Sequence, residues 1–274
     1  MNAFEKVIHA LQAEMTEPAL FGWFHLLCLA ITVALTVFLC TKLQNANEKT
    51  VRRLLLVLWI VLVLTEVYKQ LAFALDVEDG VACWDYAFYA FPYQFCSTPL
   101  YILPLVVFLP DGKVRNACMC FLATFSLFAG LAVMCYPGDV FMSFIGINLQ
   151  TMIHHGAQVA FGCFLALRVH RRLSKKYYFA AMAVFAALAA IALLLNVSVY
   201  HLLRAGGHDD TFNMFFISPY FDCTCPVLEL VYPLVPYPVF LLAYLLGFAL
   251  VAAVIFFGAR GLISHLTKKR HASA

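Results

Sequence analysis

Residues 91–101 read FPYQFCSTPLY and lie in the middle of an otherwise apolar run of the chain. The stretch carries two prolines, an amide, a thiol and two aliphatic hydroxyls. An irregular backbone with polar side chains is tolerated at membrane depth only where protein covers it or where it lines a cavity. The pattern therefore predicts a functional site inside a bundle of membrane helices, and Cys96 is its candidate nucleophile.

The composition of the whole chain is that of a membrane protein. Of its 274 residues, 64% are hydrophobic and 12% are charged, whereas about 25% are charged in an ordinary soluble domain. The mean hydropathy of +0.87 leaves no room for a soluble domain of any size. The net charge of +3 does not suggest nucleic-acid binding, so no nucleic acid is expected as a partner.

Seven apolar segments are long enough to cross a hydrocarbon core of about 30 Å at about 1.5 Å per residue. They cover residues 20–41, 53–76, 85–109, 115–136, 141–167, 177–201 and 236–260. Lysine and arginine are concentrated in the first, third and fifth connections and in the C-terminal tail, and are nearly absent from the others. This alternation predicts an all-α, polytopic bundle of seven transmembrane helices, with the N-terminus outside and the C-terminus in the cytoplasm.

The transmembrane domain is predicted to span residues 20–260. An amphipathic segment, residues 1–19, is expected to precede it, and a basic cytoplasmic tail, residues 261–274, to follow it. The outer loop 202–235 is long and apolar, so a partly re-entrant segment and a plain ordered loop both remain open. Four cysteines in or beside the predicted outer loops could form disulfides, whose connectivity a sequence does not give. They are Cys83, Cys135, Cys223 and Cys225.

Thr98-Pro99 resembles the start of a helix, with threonine at the N-cap and proline at the first helical position. The third transmembrane helix is therefore predicted to be broken at this proline. Cys96 would then precede the N-terminus of the second half, where the positive end of the helix dipole favours a thiolate. Alternatively, Pro99 merely kinks the helix and Cys96 is an inert buried cysteine.

Polar residues of the third and fifth predicted helices fall at similar depths. At about 1.5 Å per residue, Cys96 lies roughly 16 Å and His155 roughly 20 Å below the outer surface. Helical spacing puts four polar residues of the fifth helix on one stripe, which His154 flanks. The stripe comprises Asn148, Thr151, His155 and Gln158. A thiol and a histidine at one depth predict a nucleophile with its general base.

Glu66 shares one face of the second helix with Lys69 and Gln70. A charge at a helix centre costs roughly 2.5–3.5 kcal/mol on insertion, so the two charged residues are expected to face the bundle and to pair with each other. A structural ion pair and a functional role both remain open. No metal site is predicted, because the i,i+4 histidine pair that helical metal sites use is missing.

Four short motifs resemble the YwaF-like family of bacterial integral membrane proteins. They are Pro92-x-x-x-Cys96-Ser97, Gln150 through His155-Gly156, Asn213-Met214-Phe215-Phe216 leading to Pro219, and Pro236-Tyr237-Pro238. The family is related to an animal transmembrane acyltransferase, which is thought to move fatty acyl chains between phospholipids through a cysteine and a histidine. Where the family has a histidine, this chain has Gln94, and the cysteine of the animal relative aligns one helical turn before Cys96, with Tyr93.

The resemblance implies a lipid acyltransferase of the bacterial plasma membrane, with Asn213 among its site residues. Cys96 would attack a phospholipid ester to form a thioester, and His155 would act as general base and then activate the hydroxyl of a lysophospholipid acceptor. Three neighbouring side chains could donate hydrogen bonds to the developing oxyanion. These are Gln94, Ser97 and Thr98. No metal or other cofactor is needed.

Two alternatives remain open at this point. A thioesterase or lipid hydrolase, in which water is the acceptor, uses the same chemistry. A membrane transporter or small-molecule binding protein, with its polar site at Glu66 and Lys69, belongs to a different class.

Overall fold

The computed structural model describes residues 3–78, 81–138, 140–172 and 174–272, and most of them are helical. The α-helices are α1 (Ala3–Leu11), α2 (Trp23–Lys42), α3 (Glu48–Ala72), α4 (Pro99–Phe108), α5 (Lys113–Phe121), α6 (Leu127–Cys135), α7 (Ile145–Arg172), α8 (Lys176–Ala205), α9 (Leu228–Val231) and α10 (Tyr237–Ala272). Within these ranges the only sheet is an antiparallel hairpin of β1 (Leu75–Glu78) and β2 (Val81–Trp84). The prediction of a helical membrane protein is confirmed, and the hairpin is an addition to it.

Within the described ranges, five helices are long and apolar enough to cross a membrane. They are Trp23–Lys42, Glu48–Ala72, Lys113–Cys135, Lys176–Ala205 and Tyr237–His265. These helices correspond to the first, second, fourth, sixth and seventh predicted segments. The fifth segment forms α7, whose 28 residues are long enough to cross but include amides and histidines that make it less apolar. Seven spans and their orientation therefore stay a prediction.

The predicted break of the third segment, residues 85–109, is present at Pro99, where α4 begins, but the prediction of a helix before the break was wrong. Only the second half of the segment, α4, is α-helical, and the residues before it form two 3₁₀ turns, Phe88–Ala90 and Phe95–Ser97. Proline lacks an N–H and restricts the residue before it, so Pro92 and Pro99 interrupt helical hydrogen bonding in this stretch. The depth of Cys96 derived from a continuous helix consequently no longer applies.

The segments before and after the predicted transmembrane domain are both largely helical. The predicted amphipathic stretch forms α1, whose Ile8 is fully buried, and Gln12 Nε2 after this helix donates hydrogen bonds to the carbonyls of Ala72 (3.1 Å) and Leu75 (2.6 Å). At the other end, α10 continues as one helix to Ala272, so the predicted tail is mostly helical.

The centre of the bundle is the helix formed by α5, a π-helical turn at Leu122–Ser126, and α6. Of its most apolar stretch 72% is buried, against 22% to 33% in the four other candidate spans. α7 lies against this central helix at Gly130, where a Cβ atom would come within 2.7 Å of Gln158 Cβ and 2.8 Å of the His155 carbonyl oxygen. A glycine therefore sets the distance between the central helix and the histidines of α7.

Gly130→Ala is expected to lower the free energy of unfolding by about 1–3 kcal/mol, because the added methyl group must push against the backbone of α7. The melting temperature of the detergent-solubilised protein, followed by circular dichroism, measures the effect. The matched control is Gly247→Ala in α10, where no atom lies within 4 Å of the added Cβ. Equal melting temperatures for the two variants would contradict the close approach at Gly130.

Candidate functional site

The carbonyl oxygen of Cys96 is held by two side chains of α7. His154 Nε2 lies 3.0 Å and Gln158 Nε2 2.9 Å from this oxygen. The two residues are four apart, so they project from the same face of the helix. Gln158 Oε1 in turn accepts a hydrogen bond from the hydroxyl of Ser126 (3.4 Å) in the π-helical turn. These contacts fix the backbone of Cys96 between α7 and the central helix.

His154 and His155 of α7 each keep one ring nitrogen without a partner among the described residues. A carbonyl oxygen only accepts, so the proton of each neutral ring lies on the nitrogen that contacts one, which is Nε2 in His154 and Nδ1 in His155. His155 Nδ1 is 2.7 Å from the Thr151 carbonyl oxygen. The opposite nitrogens, His154 Nδ1 and His155 Nε2, then carry lone pairs. Both are buried and form no hydrogen bond with any described residue, so the site holds two available proton acceptors.

The Cys96 side chain is half-buried in the bundle. Lys69 and Glu66 are close enough to the thiol to act on it electrostatically. The free nitrogens of the two histidines form no hydrogen bond with the thiol. The structure thus brings Cys96 to the polar face of α7, and His154 contacts its backbone, whereas the hydrogen bond of His155 stays within α7.

A small cavity adjoins the residues that hold Cys96. Its volume is about 20 Å³, and its lining includes Pro99, Ser126, Gln158 and Phe161. This volume accommodates about one water molecule. The cavity is otherwise lined mostly by aliphatic side chains, so the two polar groups of Ser126 and Gln158 are its hydrogen-bonding partners.

Glu66 is the centre of a charged cluster on α3. Its Oε1 accepts hydrogen bonds from Lys69 Nζ (2.8 Å) and Gln70 Nε2 (2.8 Å), and its Oε2 accepts one from Gln150 Nε2 of α7 (3.3 Å). Gln70 Nε2 also donates to the Ala90 carbonyl (2.8 Å). The expected ion pair between Glu66 and Lys69 is therefore present, and amides on two helices surround it.

Gln94 joins the segment before α4 to the buried loop 212–218. Its Nε2 donates to the Asn213 carbonyl (3.0 Å), and its Oε1 accepts the N–H of Phe215 (2.9 Å). Asn213 Oδ1 accepts the N–H of Ser218 (2.9 Å) and so closes the loop on itself. The amide of Gln94 is thus engaged, and most of this part of the predicted outer loop is buried in the bundle.

The loop carries unusual backbone angles at its centre. Phe215 and Phe216 have φ values of 59° and 56°, a left-handed conformation that costs roughly 1–2 kcal/mol per residue. Asn196 of α8 holds the preceding Met214 by both backbone groups, at 2.7 Å and 2.9 Å. The tertiary hydrogen bonds of Asn196 and Gln94 therefore hold this conformation in place.

Two further predicted site residues serve local structure. Thr98 occupies the N-cap position of α4, but its hydroxyl donates to the Phe95 carbonyl (2.8 Å) and does not cap the helix. Asn148 pairs with both the N–H (3.0 Å) and the carbonyl (2.7 Å) of Met142, which closes the loop before α7.

All ten cysteines are free, including the four that could pair in the predicted outer loops. Burial raises the pKa of Cys225 to about 12 and also raises that of Cys223. Both side chains are therefore thiols at neutral pH.

Residues 20–258 match the family model of the TMEM164 family, a family of transmembrane proteins. The chain belongs to the TMEM164 family. No curated protein and no solved structure matches the chain. The matched region of this TMEM164 family member includes every residue of the site described above, and α1 lies outside it. The finer resemblance to YwaF-like proteins stays a prediction.

Sequence reasoning missed two residues of the site in this TMEM164 family member. Gln150 contacts Glu66, and Ser126 contacts Gln158. A signal for the first was available, because Gln150, His154 and Gln158 are spaced by four and share one helix face. The predicted stripe was centred on His155 instead, about 100° away. Nothing in the sequence around Ser126 indicates the π-helical turn that carries it.

Glu66→Gln is expected to lower the free energy of unfolding by about 3–5 kcal/mol, because it leaves the ammonium of Lys69 buried without a counter-charge. The Lys69 side chain is 16% exposed. Adding Lys69→Met removes that charge and should restore most of the lost melting temperature, measured by circular dichroism in detergent. A double variant no more stable than Glu66→Gln alone would show that the ion pair is not what stabilises this cluster.

Proposed function

We propose that this protein is a membrane-embedded acyltransferase that moves a fatty acyl chain between lipids through a thioester on Cys96, with His155 as general base. Two observations carry the proposal. His154 and Gln158 of α7 fix the backbone of Cys96, and His155, the residue that follows His154, has a buried and unpartnered Nε2 in the proton-accepting tautomer. Nucleophilic catalysis by a thiol needs this pair of groups.

The first half-reaction transfers the acyl chain to the enzyme. The Cys96 thiol gives its proton to His155 Nε2, and the sulfur attacks the ester carbonyl carbon of a phospholipid. The carbon–oxygen bond to the glycerol breaks, and the departing oxygen takes the proton back from His155. The products are a thioester on Cys96 and a lysophospholipid. Hydrogen bonds at the active site commonly tighten only when substrate binds, so an unpaired thiol and imidazole are compatible with this role.

The second half-reaction returns the acyl chain to a lipid. The hydroxyl of a lysophospholipid gives its proton to His155 Nε2, and its oxygen attacks the thioester carbonyl. The carbon–sulfur bond breaks, and the thiolate of Cys96 recovers the proton. The side chains of Gln94 and Thr98 already donate hydrogen bonds to backbone carbonyls. We therefore assign Ser97, the third predicted oxyanion donor, to the tetrahedral intermediate. Water in place of the lysophospholipid would make the same site a thioesterase or lipid hydrolase.

The setting that we propose for this chemistry is a bundle of seven transmembrane helices in the bacterial plasma membrane, with the N-terminus outside. The alternation of basic connections supports this orientation, and the length of α7 supports a fifth span between the central helix and α8. The partners are then the phospholipid donor and the lysophospholipid acceptor.

Intact-protein mass spectrometry tests the function. The purified protein is incubated with a phospholipid of defined acyl chains, and we expect a covalent adduct with the mass of one acyl chain that hydroxylamine removes at neutral pH. Adding lysophospholipid should discharge the adduct faster than water alone if the protein is a transferase. If the folded protein forms no adduct on any cysteine, the acyl-enzyme proposal fails, and transport or ligand binding at Glu66 and Lys69 becomes the function to test.

A further inference from the structure

An open groove separates the beginning of α3 from the end of α4. Its volume is about 440 Å³. One wall consists of Glu48, Lys49, Arg52 and Arg53, and the floor consists of Leu56, Val107 and Phe108. Phe108 is 63% exposed. The groove is thus basic at its mouth and apolar at its base, and it lies on the opposite end of α3 from the Glu66 cluster.

The basic residues of the groove have different tasks. Arg52 is committed to the fold, since its guanidinium donates to the carbonyls of Val107 (2.5 Å) and Leu109 (2.8 Å). Lys49 and Arg53 are exposed, and neither forms an ion pair within the part of the chain that the structure describes. These two cations are available to a ligand.

Two carboxylates, Glu48 in the lining of the groove and Asp111 outside it, do not cancel this charge. Glu48 is contacted by Arg115 and by Arg168 (3.5 Å), both of which are 3% exposed. Asp111 is contacted by Arg115 (2.5 Å) and Arg52 (3.3 Å). Each acid is therefore already neutralised by arginines, and the mouth of the groove is left with a net positive charge from Lys49 and Arg53.

The position of the groove defines what fits it. α3 is one of the candidate membrane spans, and Leu56 follows Lys49 by seven residues, which is about 10 Å along the helix. A basic rim at a helix end thus stands at the level of lipid headgroups, and the apolar floor stands at the level of the first acyl carbons.

We propose that this groove binds an anionic glycerophospholipid, with Lys49 and Arg53 on the phosphate and headgroup and with an acyl chain along Leu56 and Phe108. Juxtamembrane lysines and arginines attract anionic lipids, by about fivefold in affinity for each residue near the surface. A zwitterionic lipid offers the same acyl chains without the net charge, so it should bind more weakly. The site is independent of the acyl-transfer proposal.

Trp59 provides a probe at the groove. Its ring packs edge-on against Phe108 with 6.2 Å between centroids, and it is one turn beyond Leu56. The two other tryptophans, Trp23 and Trp84, are 74% and 71% exposed, so phenylalanine can replace them. The full-length single-tryptophan protein is reconstituted in vesicles that contain acyl-brominated phosphatidylglycerol or phosphatidylcholine, and quenching of Trp59 fluorescence is titrated against the mole fraction of the brominated lipid.

We expect half-maximal quenching by phosphatidylglycerol at a mole fraction at least about threefold lower than by phosphatidylcholine. Lys49→Gln with Arg53→Gln should remove the difference. The matched control is Lys175→Gln with Lys176→Gln, which removes the same charge from exposed positions outside the groove and should retain it. Equal quenching by the two lipids, or equal losses in both double variants, would overturn the proposal. Loss of the preference upon addition of soluble glycerol phosphate would overturn it too, because the occupant would then be a soluble anion.

Discussion

Replacing Cys96 with alanine is expected to abolish the acyl adduct and to lower acyl transfer by a factor on the order of 10³ or more. The reason is that the thioester splits the transfer into two steps, and no other group of the site can hold the acyl chain between them. His154 and Gln158 bind the backbone carbonyl of Cys96 rather than its side chain, so the substitution leaves both contacts in place. The adduct is measured by intact mass, and transfer by the change in the acyl composition of the lysophospholipid acceptor.

The control for this variant is Cys163→Ala. Cys163 also lies on α7 and is half-buried, so it reports whether any accessible cysteine of the bundle reacts with phospholipid. It should keep the adduct and the rate of the unmodified protein. A further variant, Cys96→Ser, replaces the thiol with a poorer nucleophile of similar size, and any adduct that it forms should be an ester that resists neutral hydroxylamine. Persistence of a hydroxylamine-sensitive adduct in Cys96→Ala would place the nucleophile elsewhere.

The helical segments could be predicted from the sequence because the bilayer imposes a simple rule on them. A backbone in hydrocarbon must satisfy its own hydrogen bonds, so long apolar runs become helices. This rule does not apply where protein covers the backbone, as it does at residues 85–98. There, hydrogen bonds between segments distant in the sequence decide the conformation, as when Gln94 binds Asn213 and Phe215. No local pattern in the sequence encodes these pairings.

The gathering of polar side chains near Cys96 could be predicted in part, whereas their geometry could not, and their role as a site stays a prediction. The polar residues of α7 and α3 do converge near Cys96, because the cost of burying them alone drives them together. Helical spacing predicted one polar face on α7, centred on His155 with His154 at its flank, whereas the face that contacts Cys96 contains His154. The choice between the two faces depends on how α7 is rotated, and that rotation is set by packing at Gly130 and by the amide of Gln158 on the Cys96 carbonyl. Neither contact has a signature in the sequence.

The second large effect is expected at the two histidines, and it should be unequal. His155→Asn keeps an amide N–H in the place of Nδ1, so the hydrogen bond to the Thr151 carbonyl can persist while the lone pair of Nε2 is lost. Removing a general base costs typically 10²–10⁴-fold in rate, and we expect a loss of transfer in that range. His154→Gln keeps an amide N–H in the place of Nε2, so the Cys96 carbonyl stays bound, and the loss should be far smaller.

The comparison works because each substitution preserves the hydrogen bond that the histidine makes and removes only its free nitrogen. Both variants should therefore melt near the temperature of the unmodified protein, and the rates of adduct formation and discharge can be compared directly. We expect the acyl adduct to form more slowly and to be discharged more slowly in His155→Asn, because the same base serves both half-reactions. The opposite ranking, with His154→Gln the more damaging, would assign the proton to His154 Nδ1, which is the other buried lone pair of this site. Equal and small losses in both variants would show that neither histidine takes part in the proton transfer. The Cys96 thiol would then have to ionise under the influence of its charged neighbours, Lys69 and Glu66.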